Sequence, residues 1–199
     1  MGKVVSSAMM SLDGYIAKAD DTIGRLFDCL DNGDVELPTA TPGMTFHMTP
    51  RSAEYWRAWV DSVGAIVVGR TLFDVADGWG GRHTMGAPVV VVTHEVPTEW
   101  VDDHPDAELT FVTDGVESAI ATAQDIAGDQ VVAVAAGTIA RQCLELGLLD
   151  EVAVDLVPVV MGQGKPYFGA MGITDVMLGD PTTCLQGERV THLVFPVQR

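Results

Sequence analysis

Basic residues are scarce in this sequence: 11 lysines and arginines stand against 28 acids, a formal net charge of -17. Neither sign is gathered into a block. Such a surface repels phosphate backbones and anionic lipid, so no nucleic acid or membrane partner is expected, and the acidity reads as a solubility feature. Cysteine is scarce as well. Cys29, Cys143 and Cys184 are odd in number and lack CxxC spacing, which reads as buried or incidental thiols and not as a disulfide framework or zinc site. Long apolar runs are missing: those at residues 65–68 and 88–92 fall far short of the roughly 20 residues that span a bilayer. The N-terminus shows neither the charged start nor the apolar core of a signal peptide, and a cytoplasmic protein is expected. There is no internal repeat, no low-complexity tract and no GxGxxG turn. His47, His83, His104 and His192 lack metal-site spacing, so no metal is expected.

What is present is a chain of 199 residues, 47% hydrophobic, long enough to bury most of its apolar surface in a single domain, 1–199. Strands alternate with helices. "KVVSSAMM" reads as a first strand, ended by the turn signal Asp13-Gly14. Residues 20–48 are polar, rich in Gly, Pro and Thr, and without periodicity: a long loop insertion of the kind that forms lids, binding loops or interface arms. Thr49-Pro50 opens a helix whose buried face is expected at Trp56, Trp59, Val60 and Val63. "AIVV", "PVVVV" and "LTFV" are short apolar strands, and "GRTLFDVADGW" a short helix. "DGVESAIATAQDIAG" is a helix with Asp114 and Glu117 at capping-box spacing and a stripe at Val116, Ala119, Ile120 and Ala123. "VVAVA" with its helix to Gly147, the strand "EVAVDLVPVV" and an antiparallel hairpin around Gly187 complete the chain. Continuous apolar strands joined by helices imply a mixed, mostly parallel α/β sheet with helices on both faces and a C-terminal antiparallel hairpin.

In such folds ligands sit at the carboxyl ends of strands, beside helix N-termini. Here "AIVV" ends in Gly69-Arg70-Thr71, "PVVVV" in Thr93-His94 and "VVAVA" in Ala136-Gly137-Thr138. The first and third open helices, whose free amide groups suit phosphate oxygens. Three convergent half-sites fit a dinucleotide better than a single phosphate. The small side chains at Ala135, Ala136 and Gly137 would let a ligand lie against backbone, or would simply allow close packing of helix on strand.

"MSLDGYIA", "VVGRTLFD", "VVVVTH", "AAGTIARQCLELGLLDE" and "VDLVPVVMGQGKPYF" resemble, in order, the signatures of the dihydrofolate-reductase-like superfamily, in the branch named for the reductase domain of bacterial riboflavin biosynthesis. The resemblance covers nearly the whole chain. It implies NADP(H) as cofactor and hydride transfer from the nicotinamide to a C=N or C=O group of a small heterocycle or open-chain sugar derivative. The activity would be similar to that of 5-amino-6-(5-phosphoribosylamino)uracil reductase or dihydrofolate reductase. It implies a homodimer. By the same resemblance Gly69, Arg70 and Thr71 would meet the cofactor's phosphates, and Thr93 and His94 the adenosine ribose and its 2'-phosphate. Ala136, Gly137, Thr138 and Ile139 would cradle the pyrophosphate, with Ala8 and Ile16 near the nicotinamide. This sequence departs from the family in having Ala136 where paired glycines are usual and Leu72 at a threonine position. If the Ala136-Gly137 peptide were cis, as in the folate reductases, its surroundings would have to hold a bond costing about 3 kcal/mol. The alternative to a reductase is a nucleotide-binding protein of the same fold without turnover.

Hydride chemistry leaves the protein a share in orientation and, in some cases, a proton donor. Asp155 is the candidate catalytic residue: it lies mid-strand on the face opposite Val152, Val154 and Leu156, where a carboxylate is costly unless paired or facing a cavity. The other reading is a solvated or edge-bonded strand face. Folate reductases carry an acid early in the helix after the first loop; by spacing that position is Ala53. The neighbouring Glu54 points about 160° from the tryptophan seam at ~100° per residue, towards the surface. On the substrate side the candidates are Asp13, which also reads as a turn-former, Gly162 and Gly164, which permit backbone approach, and the rare cation Lys165.

Overall fold

The computed structural model describes residues 2–169 and 175–198. Strand β1 (Val4–Ser11) leads through β2 (Tyr15–Ala17), a 3-10 turn (Asp28–Leu30) and a hairpin of β3 (Val35–Pro38) and β4 (Thr45–Met48) to helix α1 (Pro50–Ser62). Then come β5 (Val63–Gly69), α2 (Arg70–Val75), β6 (Val89–Val92), α3 (Thr98–Asp103), β7 (Leu109–Val112), α4 (Val116–Ala127), β8 (Val131–Ala135), α5 (Thr138–Glu145) and β9 (Glu151–Val157). The short β10 (Lys165–Pro166) precedes the final hairpin, β11 (Thr183–Gln186) and β12 (Thr191–Pro196).

Eight strands form one sheet in the order β11-β12-β9-β1-β8-β5-β6-β7. The pairs from β9 to β7 are parallel, whereas β12 runs antiparallel to both β9 and β11. The expected mixed, mostly parallel sheet is therefore present. Most valines of β5, β6 and β8 are buried, on both faces of the sheet, which is why these strands read as unbroken apolar runs. One face carries Val67, Val90, Val132 and Val134 under α4 and α5, with the expected stripe Val116, Ala119, Ile120 and Ala123 buried against them. The other carries Ile66, Val68, Val89 and Val91 under Phe73 of α2, Trp59 of α1 and Trp100 of α3. Each such valine withdrawn from water contributes about 1.5–3 kcal/mol.

The structure corrects the sequence in three places. Residues 20–48 are not all loop: β3 and β4 pair antiparallel, Val35 with Met48 through Pro38 with Thr45, and bury Leu37 and Met48 against Ala53. That hairpin shifts the fully buried face of α1 to Ser52 and Ala53, leaving Trp56 and Trp59 half-buried and Glu54 exposed as expected. Finally, Asp114 and Glu117 make no capping box, because Gly115, at φ 98°, takes the N-cap of α4 with no side-chain bond. Among the described residues no helix is long and apolar enough to cross a membrane.

β1 is the strand that matters for the site. It pairs with β8 only as far as Ser7, opposite Ala135, yet stays paired with β9 to Ser11, opposite Val157. A gap therefore opens beside residues 8–11, at the carboxyl ends of β1 and β8.

Candidate active site

The half-sites at the strand ends meet. Gly69 closes β5 and caps α2, and a Cβ on it would stand 3.2 Å from Cγ1 of Ile139, on the first turn of α5. Only a glycine lets these two helix starts come so close without displacing the isoleucine. Arg70 reaches across to the end of β6: its Nη1 donates to Thr93 Oγ1 at 3.4 Å and to the carbonyl of Glu95 at 2.9 Å, while Nε donates to Asp74 at 2.7 Å. Thr93 is buried and donates to the Glu95 carbonyl. Thr71, His94 and Thr138 are exposed around this cluster.

Gly137 has φ 94° and ψ -142°, a backbone state that side-chain-bearing residues rarely adopt. Its N–H donates to the carbonyl of Tyr167 at 2.6 Å, and the Ala136-Gly137 peptide is trans. A Cβ built on Gly137 would approach only Ile16 Cδ1 of β2, at 3.7 Å, so the turn has space beside it with Ile16 as its wall. Ala8 and Ala136 are half-buried at the margins of the gap. Ala8, Ile16, Gly137 and Ile139 thus gather at the gap in β1, continuous through Gly69 with Arg70 and Thr93.

The substrate-side candidates form a second cluster with a visible structural task. Asp13 accepts from Ser11 Oγ at 2.7 Å, from the amide of Met161 at 3.1 Å and from that of Gly162 at 2.7 Å. These bonds, Ser11's first, hold its carboxyl down at about 2. Asp13 therefore anchors the 161–162 loop as a carboxylate. Gly164 lies so close to Ala17 that a Cβ would overlap its carbonyl oxygen, and β10 pairs with β2 there. Lys165 is not a free cation: it forms an ion pair with Asp21.

Asp155 is not on a solvated edge. It is 9% exposed on an interior strand, in register with Met9 of β1 and His192 of β12. His192 Nδ1 lies 2.6 Å from Asp155 Oδ1, and His192 Nε2 lies 3.1 Å from Ser52 Oγ. The Tyr55 ring stacks on the imidazole, centroids 4.3 Å apart. Burial, with Asp155 second, pushes the Cys29 thiol up to about 11 and raises the Tyr55 phenol likewise. Ser52, Tyr55 and His192 were not singled out from sequence. A signal did exist: a mid-strand acid needs a partner, and the hairpin running antiparallel to its strand carries one histidine.

This sheet, with its gap beside the first strand and glycine turns at the carboxyl ends, defines a dihydrofolate-reductase-like α/β protein. The chain matches the RibD C-terminal domain over residues 2–192 and belongs to that family. No curated protein matches it. Among solved structures, a Shewanella sp. PV-4 protein provisionally assigned to riboflavin biosynthesis superposes with a TM-score of 0.72 at 19% identity, covering 99% of each chain. Acinetobacter baumannii RibD gives 0.64 at 13% identity, all of this chain spanning 58% of that one. Dihydrofolate reductase from Enterococcus faecalis, solved with NADP(H), gives 0.54 at 14% identity over 100% of this chain and 98% of that one. At these identities the likeness is one of fold.

Proposed function

We propose that this protein is an NADP(H)-dependent reductase that delivers a hydride to a C=N or C=O group of a small heterocyclic or sugar-derived substrate. The observation that carries this reading is the open glycine turn at Gly137, walled by Ile16 and joined through Gly69 and Ile139 to the Arg70–Thr93 cluster. That is a series of neighbouring residues from a gap in the sheet to a basic group, the chemistry a phosphorylated dinucleotide needs. The turn also fits the group sterically, since Gly137 carries no side chain to fill the space beside Ile16. Family membership and the NADP(H)-bound neighbour of the same fold support the choice of cofactor.

When bound, the cofactor supplies the hydride. The chain's own residues do the rest. Ala136 and Gly137 leave backbone exposed to the pyrophosphate, and the first-turn N–H groups of α5 lack helical acceptors, as at any helix start. Arg70 and Thr93 lie where the 2'-phosphate end would fall, with His94 exposed beside them. Ala8 and Ile16 border the nicotinamide end, and apolar walls there exclude water from the transfer. The family resemblance carries over a homodimer.

Thermal unfolding with NADPH, NADP and NADH, on wild type and on Gly137→Asp, tests the reading. A ligand at about 100 times its Kd adds roughly 2.7 kcal/mol to the folded state. NADPH is expected to stabilise the wild type most, and the folded Asp variant to lose that gain. If no nucleotide shifts the transition, the cofactor assignment falls. Nucleotide stabilisation without turnover on any C=N or C=O compound supports the second reading, a binding protein without catalysis.

A further inference from the structure

Three polar side chains lie buried together between β9, β12 and α1: Asp155, His192 and Ser52, 9%, 5% and 2% exposed. Removing a carboxylate and an imidazole from water costs several kcal/mol that their mutual attraction only partly returns, and apolar residues would serve stability as well. Val152 and Val154 do so on the opposite face of the same strand. The arrangement calls for a task other than holding the sheet together.

The two ends of the chain differ. At the Ser52 end the hairpin turn closes over the hydroxyl: a Cβ on Gly187 would overlap Ser52 Oγ. No substrate reaches that serine, which rules it out as a nucleophile despite the serine-histidine-aspartate order. At the other end the Asp155 side chain keeps 12% of its surface open. Only its Oδ1 has a hydrogen-bond partner among the described residues. Its lateral neighbour is Met9, half-buried, next to Ala8 on the stretch of β1 that β8 has left. β1 alone separates β9 from the gap, and Met9 stands one strand spacing, about 5 Å, from Asp155 across the sheet.

We infer that Asp155 is the acid–base residue on the substrate side, and that His192 and Ser52 are positioning residues that occupy its Oδ1 and leave Oδ2 to give a proton to the nitrogen or oxygen of the reduced group. The inference rests on the reductase reading above. The proton balance is simple. Hydride goes to carbon, the C=N or C=O π pair goes to the heteroatom, the O–H bond at Asp155 Oδ2 breaks as the N–H or O–H bond forms, and solvent returns a proton through the opening. The carboxylate left behind is held by the Nδ1–H of His192, whose Nε2 accepts the Ser52 hydroxyl proton. The titratable groups facing the pair are Tyr55 from α1, Cys29 from the 3-10 turn and, from the far side of β9, Tyr167, whose hydroxyl donates to the Ala153 carbonyl. None is basic, and His192 is the only ion-pair partner of Asp155 among the described residues.

The test uses the intact protein and three readouts. NADPH binding is followed by fluorescence titration. Carboxyl labelling with a water-soluble carbodiimide and glycinamide, mapped by mass spectrometry, reads the openness of Asp155. Asp155 is expected to label with NADPH bound as it does without it, because a substrate-side acid stays open in the binary complex. Nitrogen-15 spectra of His192 read the network: the neutral ring is expected to carry its proton on Nδ1, Ser52→Ala to disturb the Nε2 resonance, and the near-isosteric Asp155→Asn to shift the Nδ1 resonance. An Asp155 that is closed to the label once NADPH is bound, an Nε2–H tautomer, or an Nδ1 resonance indifferent to Asp155→Asn each overturns the inference. Failure of NADPH to bind at all overturns the reductase reading instead.

Discussion

The carbonyl of Tyr167 accepts the amide of Gly137 at 2.6 Å, tying the turn before α5 to the chain that follows β10. That bond and the positive φ of Gly137 fix each other. Gly137→Ala is expected to cost about 1–3 kcal/mol of backbone strain, lowering Tm by roughly 2–4 °C per kcal/mol in a chain of this size. Scanning calorimetry decides it, and an alanine variant that melts with the wild type would show that the turn tolerates a side chain.

Tyr167 also works from its other end. Its buried hydroxyl donates to the Ala153 carbonyl at 2.9 Å and lies 3.0 Å from Ser6 Oγ. Tyr167→Phe leaves both oxygens without that partner and is expected to destabilise by about 1–3 kcal/mol in denaturant titration. Ser6→Ala in the same background should cost less than it does alone, because the shared bond is already gone.

His83 lies against Trp79, ring centroids 4.7 Å apart, and burial lowers its pKa from 6.5 to about 4. The neutral ring is the one the fold accepts, so the unfolded chain binds a proton that the folded chain refuses. Stability is fully present above pH 6.5 and declines as pH falls towards 4, by up to ~3 kcal/mol from this residue. Chemical denaturation of His83→Gln across that range should show a flatter profile than the wild type; equal slopes would dismiss the assignment.

Gly164→Ala introduces a Cβ where the Ala17 carbonyl already sits. The β2–β10 pairing must shift, at an expected cost of about 1–3 kcal/mol. Hydrogen exchange should report faster exchange at Ala17 and in the loop that Asp13 anchors; unchanged protection would refute the packing argument.

Much of the architecture was legible because its elements obey simple periodicities. "LTFV" is β7 to the residue, Thr49 is the N-cap of α1 with Pro50 in its first turn, and the final hairpin turns around Gly187. The β3–β4 hairpin was not legible, since two four-residue strands that bury only Leu37 and Met48 carry almost no alternation. The site was partly legible for a similar reason. Small residues at strand ends announce close approach wherever they occur, so Gly69 and Gly137 stood out. His192 did not, because its meaning depends on an antiparallel register with a strand 37 residues earlier. Lys165 misled because a rare cation invites a ligand, whereas Asp21 had already claimed it.

The early parting of β8 from β1 gives the sheet an interior edge. Sheet edges normally lie at the outside, where they tempt neighbouring chains into pairing. Here an edge lies between two strands of the same molecule, beside residues 8–11, where β9 holds one flank of β1 and nothing of β8 holds the other. The molecule thus carries, within its own sheet, a strand flank of the kind that other proteins show only at their borders.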